Sequence, residues 1–342
     1  MSEIHVTDVA IIGAGPVGLF GVFQCGMVSL RTHVIDALSE IGGQCTALYP
    51  QKPIYDIAGF PEVMAGALID NLAEQAAPFN PVFHLGQQVT GLEHKDNGRF
   101  NLTTSKGTQI DAGAVIIAAG PGAFGPNRPP LKDIYGYEGS AVHYSVRDKS
   151  VFTDKDIVIT GGGDSAVDWA IELSETAGKI YFAHRRDRFR AAPDSVAKLV
   201  ALFETGRIEK SVPYQLAALE GDGKNLNAVH LKSMDGDLKT VSAEHLLCFY
   251  GLSQDLSVMK EWQLGIERFT IPIDPTTAQT SREGIYAIGD IAEYPNKLKL
   301  IATGFAEAAQ AAHHAYNYIH PDQALHFEYS TTKGVQGLSK QA

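Results

Sequence analysis

Short apolar runs, each closed by glycine, punctuate this chain. In Asp8-Val9-Ala10-Ile11-Ile12-Gly13-Ala14-Gly15-Pro16-Val17-Gly18, an unbroken apolar stretch gives way to a glycine turn and then a helix start. A run of this length bounded by turn residues reads as a strand buried on both faces. Asp156-Ile157-Val158-Ile159-Thr160-Gly161-Gly162-Gly163-Asp164-Ser165-Ala166 repeats the grammar. Each copy continues through a helical stretch into a second strand, Arg31–Ile35 in one and Lys179–Ala183 in the other. Two such βαβ units predict an α/β chain with two doubly wound, Rossmann-like nucleotide-binding domains.

A further apolar run, Ala114–Ile117, leads into Ala118-Ala119-Gly120-Pro121-Gly122, and Gly284–Ile288 leads into Gly289-Asp290. A long helix is expected over roughly Thr303–Ile319. Too few residues remain there for a third core, so the chain is expected to return to its first domain. The expected division is 1–120 with 284–342 for the first domain and its C-terminal extension, and 121–283 for an inserted second domain. Ala119–Gly122 and the turn around Ser281–Gly284 are the expected hinges, and a polar, small-residue tail runs from about His320 to Ala342.

Composition narrows the function classes. The 342 residues, 44 % hydrophobic and 20 % charged, suit a two-domain soluble enzyme. Net charge is −11, from 39 acidic and 28 basic residues, which argues against general nucleic-acid binding. No stretch approaches the roughly 18 apolar residues of a membrane span, and the N-terminus does not resemble a signal peptide. Cys25, Cys45 and Cys248 are too few and too scattered for a disulfide framework. A cytoplasmic protein is expected. His313 and His314, adjacent on a helix, point in different directions and do not suggest a metal site.

In Gly13-x-Gly15-x-x-Gly18 the first glycine permits a tight turn and the second lets backbone N–H groups approach a pyrophosphate. The third lets helix pack on strand, and the helix start faces the phosphates. Asp36 follows Gly13 by 23 residues, where a carboxylate accepts from ribose hydroxyls and repels a 2′-phosphate. Three features select FAD. Gly42-Gly43-Gln44-Cys45 stands where flavoproteins approach the ribityl chain; Ala118–Gly122 resembles the turn that leaves an FAD domain; Gly289-Asp290 resembles that domain's terminal G-D motif. The following helix would turn its positive end towards the flavin.

The second site reads Gly161-x-Gly163-x-x-Ala166, with Asp164 and Ser165 at the helix start. Twenty-three residues after Gly161 stands His184, followed by Arg185-Arg186-Asp187-Arg188-Phe189-Arg190. Cations replace the carboxylate there. Guanidinium groups clamp a 2′-phosphate in two-pronged fashion, so this site is expected to take NADPH through His184, Arg185, Arg186 and Arg190.

These motifs together resemble the thioredoxin-reductase-like flavoproteins over nearly the whole chain. Members of that group pass electrons through cysteine pairs, and both pairs are missing. A cysteine beside Cys45 would fall at Pro50, and a C-x-x-C before the second glycine motif would fall on Tyr144 and Arg147. Reduced flavin must then hand its electrons directly outward, as suits an iron–sulfur carrier. The strings Gly42–Lys52, Ile54–Pro61 and Tyr329–Thr332 resemble the thioredoxin-reductase-type ferredoxin–NADP(+) reductases, bacterial homodimers with one FAD per subunit.

That resemblance implies the site. Tyr49 would stack on one face of the isoalloxazine and Tyr329, from the partner subunit's extension, on the other. Ser330 or Thr331 would lie near flavin N5. Gln44 and Asp290 would hydrogen-bond FAD, Val89 would contact adenine through its backbone, and Phe124 would pack near the ring. The implied partner is ferredoxin or flavodoxin; with a net charge of −11, docking is expected either on a local positive patch, with candidates among Arg185–Arg190, Lys297 and Lys299, or by apolar contact. The alternatives left open are an NADPH-dependent quinone, ferric or oxygen reductase, and a redox-sensing flavoprotein.

Overall fold

The structure, a computed structural model, describes residues 4–120, 123–325 and 334–335, and only the backbone at 123–126 and 252–255. It divides into two compact units, Met1–Phe124 with Gln254–Ala342, and Gly125–Ser253. An α/β fold is found in each.

In the first unit, the opening strand Ile4–Ile12 lies between two parallel neighbours, Thr32–Asp36 and Gln109–Ile117. Pairing on both edges and packing on both faces explain its unbroken apolar run. Val9 and Ile11 face a layer made by the first helix, Pro16–Met27, and the last, Ile301–Ile319. Ala10 and Ile12 face Phe100, Leu102, Trp262 and Ile271. The last helix presents Ala308, Ala311, Ala312 and Ala315, all fully buried, at helical spacing. Such small side chains let it lie close against its neighbours. Val82–Leu85 extends the sheet in parallel beyond Thr32–Asp36. On the opposite side, Gln109–Ile117 shares one edge between two partners. Its start pairs antiparallel with Phe100–Thr104, and its end pairs parallel with Ile285–Ala287.

The second unit carries a five-stranded parallel sheet. Its order is Val142–His143, His245–Phe249, Ile157–Gly161, Ile180–Ala183, Ile208–Ser211. The helices Asp164–Leu173 and Pro193–Glu204 follow the third and fourth of these strands, and a three-stranded antiparallel sheet spans Tyr214–Ser242.

The division differs from the expected one at its second boundary. The second unit ends at Ser253 rather than at 283. Residues 254–283 join the first unit because Leu256, Met259, Trp262, Leu264 and Ile271 bury their side chains against Phe100, Leu102, Ile110 and Ile285. The expected hinge at Ser281–Gly284 therefore lies inside the first unit. The chain passes between units at Phe124–Gly125, just past the expected Ala119–Gly122, and again at Ser253–Gln254.

Candidate nucleotide-binding sites

Strand register brings the first set of motif residues to one edge. Ile12 pairs with Ile35 and with Ile117, and Ile117 pairs with Ala287. The ladder runs one residue further: Gly13 N donates to Ile35 O (2.8 Å), Ala118 N to Ile12 O (2.8 Å) and Ile288 N to Ile117 O (2.9 Å). Gly13, Asp36, Ala118 and Gly289-Asp290 thus line up along the carboxyl ends of adjacent parallel strands. In open α/β sheets, ligands bind outside the carboxyl ends of the strands.

The three glycines do different jobs. Gly13 has φ +114°, and a Cβ on it would run into the carbonyl of Ala118. A Cβ on Gly18 would strike the carbonyl of Gly13, so the helix packs on the turn only without one. At Gly15 nothing lies within 4 Å of a would-be Cβ. Gly15 immediately precedes the helix Pro16–Met27, so its open side adjoins the unpaired N–H groups of the first turn. This is the cradle a pyrophosphate needs.

Asp36 closes the next strand. Its Oδ2 accepts from Ala14 N (2.6 Å) and its Oδ1 from Leu38 N (2.8 Å). Burial raises its pKa, and the two backbone donors oppose that rise. Each oxygen keeps a further lone pair for a hydroxyl donor. The Gly42-Gly43 turn is tied on by Gly42 N donating to Ala14 O (2.7 Å). It delivers the short helix Gln44–Ala47. There the Tyr49 hydroxyl donates towards the Cys45 sulfur, and Asp290 acts electrostatically on both. Burial pushes the Cys45 thiol up to about 11 and the Tyr49 phenol upward as well. Gln44, Tyr49 and Asp290 therefore share one neighbourhood, and the glycine turn and carboxylate beside them fit a flavin dinucleotide. Val89 is buried with Ile35 in the core beneath that edge. The side chain of Phe124, and Tyr329, Ser330 and Thr331 entirely, lie outside the described residues.

The second site repeats the geometry with one substitution. Gly161 has φ +143°, and a Cβ there would meet Phe249 O at 2.5 Å and Ala166 Cβ at 2.9 Å. Nothing lies within 4 Å of a would-be Cβ on Gly163, which precedes the helix Asp164–Leu173. Ala166 is fully buried, and Ser165 is exposed. His184 follows the strand Ile180–Ala183 and lays its ring over Gly162, leaving no room for a Cβ. The cationic loop then folds back on the glycine turn: Arg190 N donates to Gly162 O (2.6 Å), and Ala192 N donates to Asp164 Oδ1 (2.9 Å). Arg185, Arg186 and Arg190 remain exposed. Burial lowers the His184 pKa, and these three arginines lower it further. Asp164, expected among the ligand-binding residues, uses one carboxylate oxygen to clasp that loop.

One expectation changes. Lys297 is no docking residue: its side chain is 1 % exposed and its Nζ lies 2.6 Å from Glu307 Oε1. A buried lysine needs a partner, and Glu307, 2 % exposed, supplies it. Sequence reasoning missed Glu307, although an acid within the small-residue stripe Gly304–Ala315 was the available signal. His314 is engaged by the Tyr286 hydroxyl at 2.9 Å.

Residues other than cysteine, Pro50, Tyr144 and Arg147, occupy the positions of the two thiol relays. Pro50 accepts from Gly66 N through its carbonyl (2.9 Å), and Tyr144 donates to Glu138 Oε1 (2.8 Å). Cys25, Cys45 and Cys248 are all buried and free. Among the described residues, no helix is long and apolar enough to cross a membrane.

A family model described as pyridine nucleotide-disulphide oxidoreductase matches residues 7–315. A ferredoxin–NADP reductase from Paramagnetospirillum magneticum is 56 % identical, with 97 % of this chain and 98 % of that protein covered. A second protein of that name, from Rickettsia rickettsii, is 54 % identical over 98 % of this chain and 99 % of its own. Among solved structures, thioredoxin reductase from Lactococcus lactis matches with TM-score 0.75 at 24 % identity, covering 92 % of this chain and 99 % of that one. The T. acidophilum thioredoxin reductase gives TM-score 0.75 at 23 %, covering 92 % and 98 %. These two likenesses concern the fold.

Proposed function

The chain belongs to the pyridine nucleotide-disulphide oxidoreductase family, and on that footing we propose that it is a ferredoxin–NADP(+) reductase that works without a redox disulfide. FAD and NADPH are its cofactors. One observation carries the reading. Residues other than cysteine stand at both thiol-relay positions, in a chain 54–56 % identical to proteins called ferredoxin–NADP reductase. FAD, when bound, would supply the capacity to accept a hydride and to release single electrons to an iron–sulfur carrier.

The protein's part is orientation and electrostatics. Gly13, Gly15 and Gly18 hold the FAD pyrophosphate at the start of the first helix, and Asp36 accepts from its ribose. Gln44 and Asp290 fix the ribityl region, Val89 meets the adenine, and Tyr49 covers one ring face. In a homodimer, Tyr329 of the partner subunit would cover the other face, and Ser330, Thr331 and Phe124 would help to hold the flavin. In the second unit, Gly161, Gly163, Ser165 and Ala166 cradle NADPH. Arg185, Arg186 and Arg190 clamp its 2′-phosphate beside His184, while Asp164 holds their loop. Ferredoxin docks on positive residues not used for NADPH, with Lys299 a candidate in the first unit; flavodoxin is the second acceptor.

Anaerobic stopped-flow with NADPH, followed by ferredoxin, thioredoxin and a quinone as competing acceptors, tests the proposal. Rapid flavin reduction with fastest reoxidation by ferredoxin is expected. Fast thioredoxin reduction would overturn it.

A further inference from the structure

A buried ion pair lies beneath the Gly289-Asp290 turn. Lys297 and Glu307 side chains are 1 % and 3 % exposed. Glu307 Oε2 accepts from Gly289 N (2.7 Å), while Oε1 accepts from Lys297 Nζ (2.6 Å) and the Tyr294 hydroxyl (3.0 Å). Lys297 Nζ also donates to Gly289 O (2.7 Å). Both polar groups of Gly289 are therefore held by one salt bridge.

Steric contact holds the same residue. Gly289 has φ +74°, a conformation that favours glycine. The last helix reaches it through Gly304, three residues before Glu307. A Cβ on Gly304 would sit 2.5 Å from Val17 Cγ2 and 3.2 Å from Gly289 Cα. Val17 belongs to the first turn of the helix that begins beside Gly15. The ion pair, the last helix and the pyrophosphate turn thus meet at Gly289.

Stability does not account for the pair. Two charges withdrawn from water recover little net energy, and apolar residues of similar volume often serve a core as well or better. The hydrogen bonds here go to a peptide whose neighbour, Asp290, faces the cofactor crevice. We propose that Glu307 is a positioning residue for the flavin. Paired with Lys297, it fixes the Gly289 peptide, and through it sets Asp290 against the glycine turn. The inference rests on the reading of this crevice as the FAD site.

Two double variants separate positioning from bulk stability. Lys297→Met with Glu307→Gln removes both charges but leaves an amide oxygen for Gly289 N–H. Lys297→Met with Glu307→Leu removes the charges and the acceptor. The readout is FAD retained by the purified full-length protein after serial dilution and filtration, together with the melting temperature of each protein. The Gln pair should hold FAD within about threefold of the unmodified protein, and the Leu pair at least tenfold more weakly at a similar melting temperature. Equal retention by the two pairs, tight or weak, overturns the proposal. Gly304→Ala keeps the pair but forces helix and turn apart, and serves if the Leu pair does not fold. It should also lose FAD tenfold or more, and unchanged retention by this variant counts equally against positioning. Should the unmodified protein hold no FAD, the functional reading fails instead.

Discussion

The two glycine turns share a backbone and differ in what stands at the end of the following strand. In the first unit, Asp36 receives Ala14 N and Leu38 N and presents a half-buried carboxylate. In the second, His184 covers Gly162, and a loop with exposed Arg185, Arg186 and Arg190 is pinned to the turn by Arg190 N and Asp164. On the function proposed above, one frame serves two nucleotides: the turn would provide generic phosphate binding, and the strand end would choose the ribose. The means of support differ too. A buried salt bridge grips the Gly289 side of the first crevice, whereas one backbone hydrogen bond and the Asp164 carboxylate hold the arginine loop of the second.

Reversing charge at the second strand end should break this contrast with the largest effect. Arg185→Glu with Arg186→Glu should raise the KM for NADPH by at least about 100-fold, since charge-assisted bonds to a phosphate are worth about 1.5–3 kcal/mol each. The KM for NADH should change little, and the melting temperature should hold because both side chains are exposed. Steady-state kinetics with each nucleotide checks this, and parallel losses for both would disprove 2′-phosphate selection.

A smaller effect should follow from exchanging the third residue of each motif. Gly18→Ala places a Cβ against the Gly13 carbonyl, a backbone atom that cannot turn aside. Overpacking of this kind costs about 1–3 kcal/mol, to be read as a lower melting temperature and weaker FAD retention. Ala166→Gly removes a buried methyl that the second turn already accommodates. Its cost should be about 1 kcal/mol, with NADPH affinity nearly unchanged. Similar losses from the two exchanges would mean that the first turn is no tighter than the second.

How much of this was legible in the sequence follows from the range of the interactions. The strand-turn-helix units and the 23-residue offset could be read because they are local: periodicity, glycine spacing and register carry them. The return of 254–283 to the first unit could not. Leu256, Met259, Trp262, Leu264 and Ile271 show no regular spacing, and their partners at Phe100 and Leu102 lie far away in sequence. Lys297 was misread for a related reason. A lysine in a loop is ordinarily solvated, and only the fold places it against an acid one helix later.

Acid should act on both units alike. The rings of His33 and His84 are joined at 3.0 Å in the first, and those of His143 and His245 at 3.1 Å in the second. A bond between two ring nitrogens requires one neutral acceptor. Burial, with His84, His5 and Arg31 nearby, holds His33 down to about 4, and burial beside His245 does the same to His143. Glu244 and Lys155 act on His245 in opposite directions. Each depressed pKa means that the unfolded chain takes up a proton first. Stability is therefore full above about pH 6.5 and declines as pH falls towards 4, by on the order of 2 kcal/mol after allowance for partial exposure. Denaturant melts at pH 7.5, 6 and 4.5 measure it, and His33→Asn with His143→Asn should flatten the profile. An unaltered profile in that variant would assign the acid sensitivity elsewhere.

The smallest expected effect tests the absence of a thiol relay. Cys45 adjoins Tyr49 and is electrostatically coupled to Asp290, yet burial keeps its thiol protonated near neutral pH, and the relay position that would pair with it is Pro50. A protonated, unpaired thiol neither forms a charge-transfer contact nor exchanges with a disulfide. Cys45→Ala should therefore leave ferredoxin turnover within about twofold while lowering stability by about 1 kcal/mol for the lost packing. Loss of turnover beyond tenfold, with FAD still bound, would place this cysteine in the electron path after all. The two sites would then differ in redox chemistry as well as in the ribose they select.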